Sequence, residues 1–213
     1  MRRYYGRAIE WYEKAAANGN DKAQFSLGYM YQYAQGVEQD YAIAIEWYEK
    51  AAANGNALAQ YNLGYVYEHG QGVEKDYIKA MEWYEKAGAN GNVSAQYSLG
   101  EMYYYGRGVR RYYPKAIEWY EKAAANGNDK AQYSLGYMYC NGQGTERDYA
   151  KARDWYEKAA ANNNAKAQYC LGEMYYKGRG VEQDYDKARE WYQKAAANGD
   201  ADAKWKLEEL KDF

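Results

Sequence analysis

The chain has 213 residues, 30 of them tyrosine and only one proline, and a formal net charge of −2. That charge argues against a general nucleic-acid binder, which needs a basic stripe to engage phosphates. No apolar run approaches the roughly 18 residues of a membrane span. Met1 leads straight into repeated text, with no apolar leader behind Arg2 and Arg3.

The opening stretch "RRYYGRAIEWYEKAAANGN", Arg2 to Asn20, predicts a helix over Tyr4–Ala17. It returns almost letter for letter as "RRYYPKAIEWYEKAAANGN" from Arg110. Trp11, Trp47, Trp83, Trp119, Trp155 and Trp191 recur at a constant step of 36 residues, and Leu27, Leu63, Leu99, Leu135, Leu171 and Leu207 keep the same step. A fixed period of this size marks a solenoid, in which each unit buries its apolar face only against its neighbours. Residues 1–213 are therefore expected to form a single solenoid domain. It would comprise a leading half-repeat (1–19), five full repeats (20–199) and a C-terminal capping helix (200–213).

The first full repeat sets the pattern. "DKAQFSLGYMYQY" spaces Ala23, Leu27, Met30 and Tyr31 at helical intervals, with Asn20 as N-cap. "AQGVEQ" breaks the period at Gly36. "DYAIAIEWYEKAAA" resumes it, with Asp40 as N-cap and Tyr41, Ala44, Trp47, Tyr48 and Ala51 as the expected buried stripe. Glu46 and Lys50 are expected to pair on the solvent side. Gly55 and its counterparts supply the left-handed residue that ends the helix, Asn163 being the exception. Gly28, Gly64, Gly100, Gly136 and Gly172 stand inside the first helix, where each costs about 0.8–1 kcal/mol against Ala. The compensation expected is close approach of the paired helix through its alanines, Ala44 and Ala51.

At the far end, "ADAKWKLEELKDF" predicts a last helix over Ala201–Lys211. It has Glu208 in place of Gly and polar residues at Lys206, Glu209, Lys211 and Asp212, as suits a cap. The leading half-repeat has no such device. Its helix is expected to fray or to pack on another molecule, self-association included, and residues 1–213 to be a piece of a longer or engineered chain. Cys140 and Cys170 fall at different heights of their repeats, too far apart for a bridge by this reading. Free thiols suit a reducing compartment, which favours the cytoplasm.

The pattern AQYSLGYMYYxGxGVxxDYxKAxEWYxKAAxNG resembles the Sel-one-like repeat family, a branch of the tetratricopeptide-like superfamily. The departures are at the ends and at Thr145, Tyr112 and Ala34, which replace the usual Val, Asp and Gly. The resemblance implies an all-α, right-handed superhelical α-solenoid of 36-residue helix-turn-helix repeats that acts as an adaptor in protein complexes. It also implies that the first helix of each repeat lines the concave face.

One stripe of that helix varies between repeats. Its exposed members are the candidate partner-binding residues: Lys22, Tyr29, Gln32 and Tyr33, then Tyr65, Glu68 and His69, then Glu101, Tyr104 and Tyr105. Tyr137 and Asn141 follow, and finally Glu173, Tyr176 and Lys177. Tyrosine suits a binding face, since the ring gives rigid apolar contact and the hydroxyl a hydrogen bond at small entropic cost. Phe25 and its counterparts are expected to pack between helices instead.

Catalytic readings lack residues. His69 is the only histidine, so a nucleophile–histidine arrangement rests on one candidate. Glu101 and Glu173 lie two repeats apart, beyond the roughly 9.5 Å of a glycosidase pair. Zinc ligands are missing at usable spacing, and the "GQGVEKD" and "GRGVRR" loops lack the Lys-Ser/Thr of a phosphate loop. Arg107, Arg110 and Arg111 make one loop basic, expected to be solvated rather than a contact for an acidic partner. The function expected is a non-enzymatic scaffold, without cofactor or metal, that holds a peptide or partner protein in a Tyr-rich concave groove. A carbohydrate-binding solenoid and an engineered scaffold without ligand are the alternatives.

Overall fold

The structure, a computed structural model, describes the backbone of residues 2–210 and the side chains of 5–210. Among these residues are twelve helices and no strand. The chain divides into two compact units, Met1–Arg110 and Arg111–Phe213. The first holds α1 (Arg2–Ala17), α2 (Asp21–Gln32), α3 (Tyr41–Ala53), α4 (Ala57–His69), α5 (Tyr77–Ala89) and α6 (Val93–Tyr105). The second holds α7 (Tyr113–Ala125), α8 (Asp129–Asn141), α9 (Tyr149–Ala161), α10 (Ala165–Lys177), α11 (Tyr185–Ala197) and α12 (Ala201–Glu209). Within each unit every helix packs against the next in sequence. The last helix ends at Glu209, and Lys211 and Asp212 of the expected cap lie outside the described residues.

Local chemistry starts each helix. Asn20, Asn56, Asn92, Asn128, Asn164 and Asp200 each accept a hydrogen bond from the amide three residues on, opening the even-numbered helices. Asp40, Asp76, Asp148 and Asp184 do the same for α3, α5, α9 and α11. Tyr112 makes no such bond before α7, and Pro114 in the first turn removes an amide that would otherwise lack a partner. Ala34 is left-handed at φ 55°, where later repeats place glycine, and α2 is one residue shorter than its counterparts.

The core corrects the expected stripe of the odd-numbered helices. Tyr48, Tyr84, Tyr156 and Tyr192 are buried, whereas Trp47 and Tyr41 are only partly so. Adjacent helical residues point about 100° apart, and Tyr48 takes the direction of the paired helix. Trp47 lies instead over Ala16, Ala23 and Leu27. The Lys50 ammonium, expected opposite Glu46, covers the Trp47 ring at 4.2 Å, and Lys86, Lys158 and Lys194 repeat this over Trp83, Trp155 and Trp191.

The glycines of the even-numbered helices answer chiefly to these tyrosines, with the expected approach to Ala44 seen at Gly28, where a Cβ would stand 3.0 Å from the Ala44 carbonyl oxygen. A Cβ on Gly28 would stand 2.7 Å from the Tyr48 ring, and one on Gly64, Gly136 or Gly172 2.5 Å from Tyr84, Tyr156 or Tyr192. A large buried ring thus needs a bare backbone opposite it.

A buried glutamine joins successive repeats. Gln24 donates to the Ala16 carbonyl at 3.2 Å and accepts from Asn54 at 3.0 Å. Gln60 does the same with Ala52 and Asn90, and Gln168 with Ala160 and Asn198. Each therefore ties together three helices at one end of the stack.

Candidate functional site

The variable stripe lies on α2, α4 and α6 in the first unit and on α8 and α10 in the second. On α2, the Phe25 ring turns inward, 5.8 Å from Tyr48, while Tyr29 and Tyr33 stay exposed with ring centroids 4.5 Å apart. Tyr33 titrates above the ordinary phenol value, because of partial burial and then the neighbouring phenols of Tyr29, Tyr65 and Tyr41. On α4, Tyr65 stacks on His69 at 4.0 Å, and His69 Nδ1 lies 2.9 Å from the Tyr65 carbonyl oxygen. On α6, the Tyr97 hydroxyl donates to Glu101 at 3.0 Å, and Tyr105 is half exposed with Tyr104 set edgewise at 4.8 Å. Lys22 is exposed at the start of α2.

Several expected members of the face are engaged in the fold. Gln32 is only 2% exposed and accepts from the Tyr48 hydroxyl at 2.5 Å. Its expected place on the open stripe is corrected: a buried phenol needs an acceptor, and Gln32 provides it. Glu68 accepts from Tyr84 at 2.7 Å and pairs with Arg107 at 3.2 Å. Arg107 also lies over the Tyr105 ring at 5.0 Å, so it is not the solvated loop residue expected. Arg110 remains exposed, and Arg111 donates to Tyr113 at 3.5 Å.

In the second unit Tyr137 and Asn141 are exposed, Asn141 donating to the Tyr137 carbonyl at 2.8 Å. Glu173 accepts from Tyr192 at 2.7 Å and from Lys177. Tyr176 packs edgewise on Tyr185 at 5.4 Å. Cys140 and Cys170 are free and share one core cluster with Tyr156, and burial pushes the Cys170 thiol up to about 12.

The exposed part of the face is thus Lys22, Tyr29, Tyr33, His69 and Tyr105 on the first unit, where Tyr65 and Glu101 are half-buried, with Tyr137, Asn141 and Lys177 on the second. It offers ring surface with scattered polar groups. Among the described residues no group of three His, Cys, Asp or Glu is placed to hold a metal ion. No described helix is long and apolar enough to cross a membrane.

The Sel1 repeat pattern matches residues 5–20, 21–56, 57–92, 93–128, 129–164 and 165–200. The chain belongs to the Sel1 repeat family. Among solved structures it is similar to c5321, a protective antigen of uropathogenic Escherichia coli displaying an SLR fold. The identity is 42% and the TM-score 0.91, over 93% of this chain and 43% of that one. It thus spans less than half the length of that relative. A Sel1 repeat protein from Oxalobacter formigenes is 38% identical with a TM-score of 0.85, covering 94% of this chain and 82% of that one. Helicobacter pylori cysteine rich protein B is 26% identical with a TM-score of 0.50, covering 62% and 94%. A search of curated proteins returns no match. Sel1 repeat proteins are in general non-enzymatic scaffolds for protein interaction.

Proposed function

We propose that this Sel1 repeat protein is a non-enzymatic scaffold that holds a peptide or a segment of a partner protein on the tyrosine face of α2, α4 and α6. The observation that carries the reading is the split within single helices. Leu27 and Leu99 are wholly buried, while Tyr29 and Tyr105 on the same helices, and Tyr33 at the end of α2, keep 38–50% of their surface open. Rings paired along a helix lose little entropy when a partner covers them, which makes them anchors for binding. His69 and Glu101 supply polar contacts beside them. On the other unit Tyr137, Asn141 and Lys177 are exposed on the corresponding helices and offer contacts of the same kind.

A displayed peptide library and a glycan array, probed with the same protein, test this. The reading expects peptides whose binding is lost in the Tyr29→Ala/Tyr33→Ala protein. Sugars captured without peptides would replace it with a carbohydrate-binding function.

A further inference from the structure

In two repeats the hydroxyl of the buried tyrosine is met from two sides. Tyr48 donates to Gln32 at 2.5 Å and also hydrogen-bonds Asn62 of the following repeat. Tyr84 donates to Glu68 at 2.7 Å and also hydrogen-bonds Ser98. Around Tyr156 the same two places hold Cys140, on α8, and Cys170, on α10. Both thiols hydrogen-bond the Tyr156 hydroxyl, and the three side chains share one core cluster. They are the only cysteines of the chain.

For the fold alone, sulfur is a poor choice there. A thiol accepts a hydrogen bond more weakly than the amide or carboxylate it replaces, so the buried phenol gains less from it. For a ligand the arrangement is a good one. Two sulfurs in contact with one oxygen are brought near the separation that a single ion bridges, about 4–5 Å for two metal–sulfur bonds of about 2.3 Å. No group of three His, Cys, Asp or Glu forms among the described residues, so a zinc tetrahedron stays incomplete. Soft cations of low coordination number need no more than two sulfurs, and thiolates select them.

The surroundings suit such an ion. Both cysteines are half-buried, which shields a bound ion yet leaves a way in. Binding exchanges two thiol protons for one monovalent cation, so the complex is left with one negative charge. Burial raises the Cys140 thiol above its ordinary value, and the positive charges of Arg179, Arg147 and Lys177 oppose that. The same three cations favour a complex of negative charge.

We infer that Cys140 and Cys170 form a two-sulfur site for a soft monovalent cation of the Cu(I) class, with the Tyr156 hydroxyl as its third neighbour.

An anaerobic Cu(I) titration of the whole protein, read by competition with a chromogenic Cu(I) chelator, tests this. The parent should take one Cu(I) per chain from the chelator. Its melting temperature should rise, since an ion held by the folded protein stabilises it. Cys140→Gln and Cys170→Ser each bring in a residue that the fold already accepts at that position, Gln32 in one repeat and Ser98 in another. Each should lose more than the roughly 100-fold in affinity that an outer-shell change costs. Equal uptake by either single-thiol protein, a metal-linked dimer, or a parent that melts no higher with Cu(I) would each overturn the inference.

Discussion

A phenol withdrawn from water must find an acceptor. In this chain the acceptors are drawn from positions that differ between repeats: Gln32 for Tyr48, Glu68 for Tyr84 and Glu173 for Tyr192. Such residues look like free surface when repeats are compared as text, because any of several polar side chains can do the work. Gln32 and Glu68 were therefore legible as a variable stripe but not as structural partners, while Tyr29 and Tyr33, with no such duty, are open as expected. The glycine opposite each ring gives a direct check. Gly64→Ala gains up to about 1 kcal/mol of helix propensity, but its Cβ would stand 2.5 Å from Tyr84, and overpacking costs about 1–3 kcal/mol. Urea melts should show a net loss of up to about 2 kcal/mol, and a net gain would mean the ring moves aside freely. Glu173 gives a second. Burial alone would raise the pKa of its carboxyl, but hydrogen bonds from Lys177 and Tyr192 and the nearby ammonium charges hold it below the ordinary value. A lowered folded-state pKa contributes stability above the unfolded value and loses it as pH falls through the folded one. Glu173→Gln should therefore lower the melting temperature at pH 7, and the gap should close as the pH drops below the carboxylate range.

Helix boundaries were readable because a cap is local chemistry: Asn20 bonds the amide of Ala23 and Asp40 that of Ile43, three residues away. What joins elements was not readable. Nothing near Gln24 points to Asn54, whose amide it accepts from 30 residues away. The choice between Trp47 and Tyr48 as the buried ring likewise depends on where the paired helix lies, a fact of packing and not of period. Among the described helix starts, the one without a side-chain cap bond, at α7, offers a gain. Tyr112→Asp restores at α7 the bond that Asp148 makes at α9, worth about 1 kcal/mol. Thermal unfolding should rise by about 2–4 °C, and no rise would mean that Pro114 already fixes the start of the helix.

At the scale of the molecule, the 36-residue period made the all-helical repeat architecture legible before any coordinate, since each repeat must bury its face against a neighbour. The candidate face was only half legible. The period locates the stripe on the even-numbered helices, but only packing separates exposed rings such as Tyr33 from engaged groups such as Glu68. The central claim is that these exposed rings serve a partner rather than the fold. A library-selected peptide titrated against the parent and the Tyr29→Ala/Tyr33→Ala/Tyr105→Ala protein, with both melting curves recorded, tests it most directly. The account predicts an affinity loss of about 100-fold or more, as for anchor residues worth about 2 kcal/mol or more each, with the melting temperature nearly unchanged. Undiminished binding, or a collapse of the melting temperature, would contradict it.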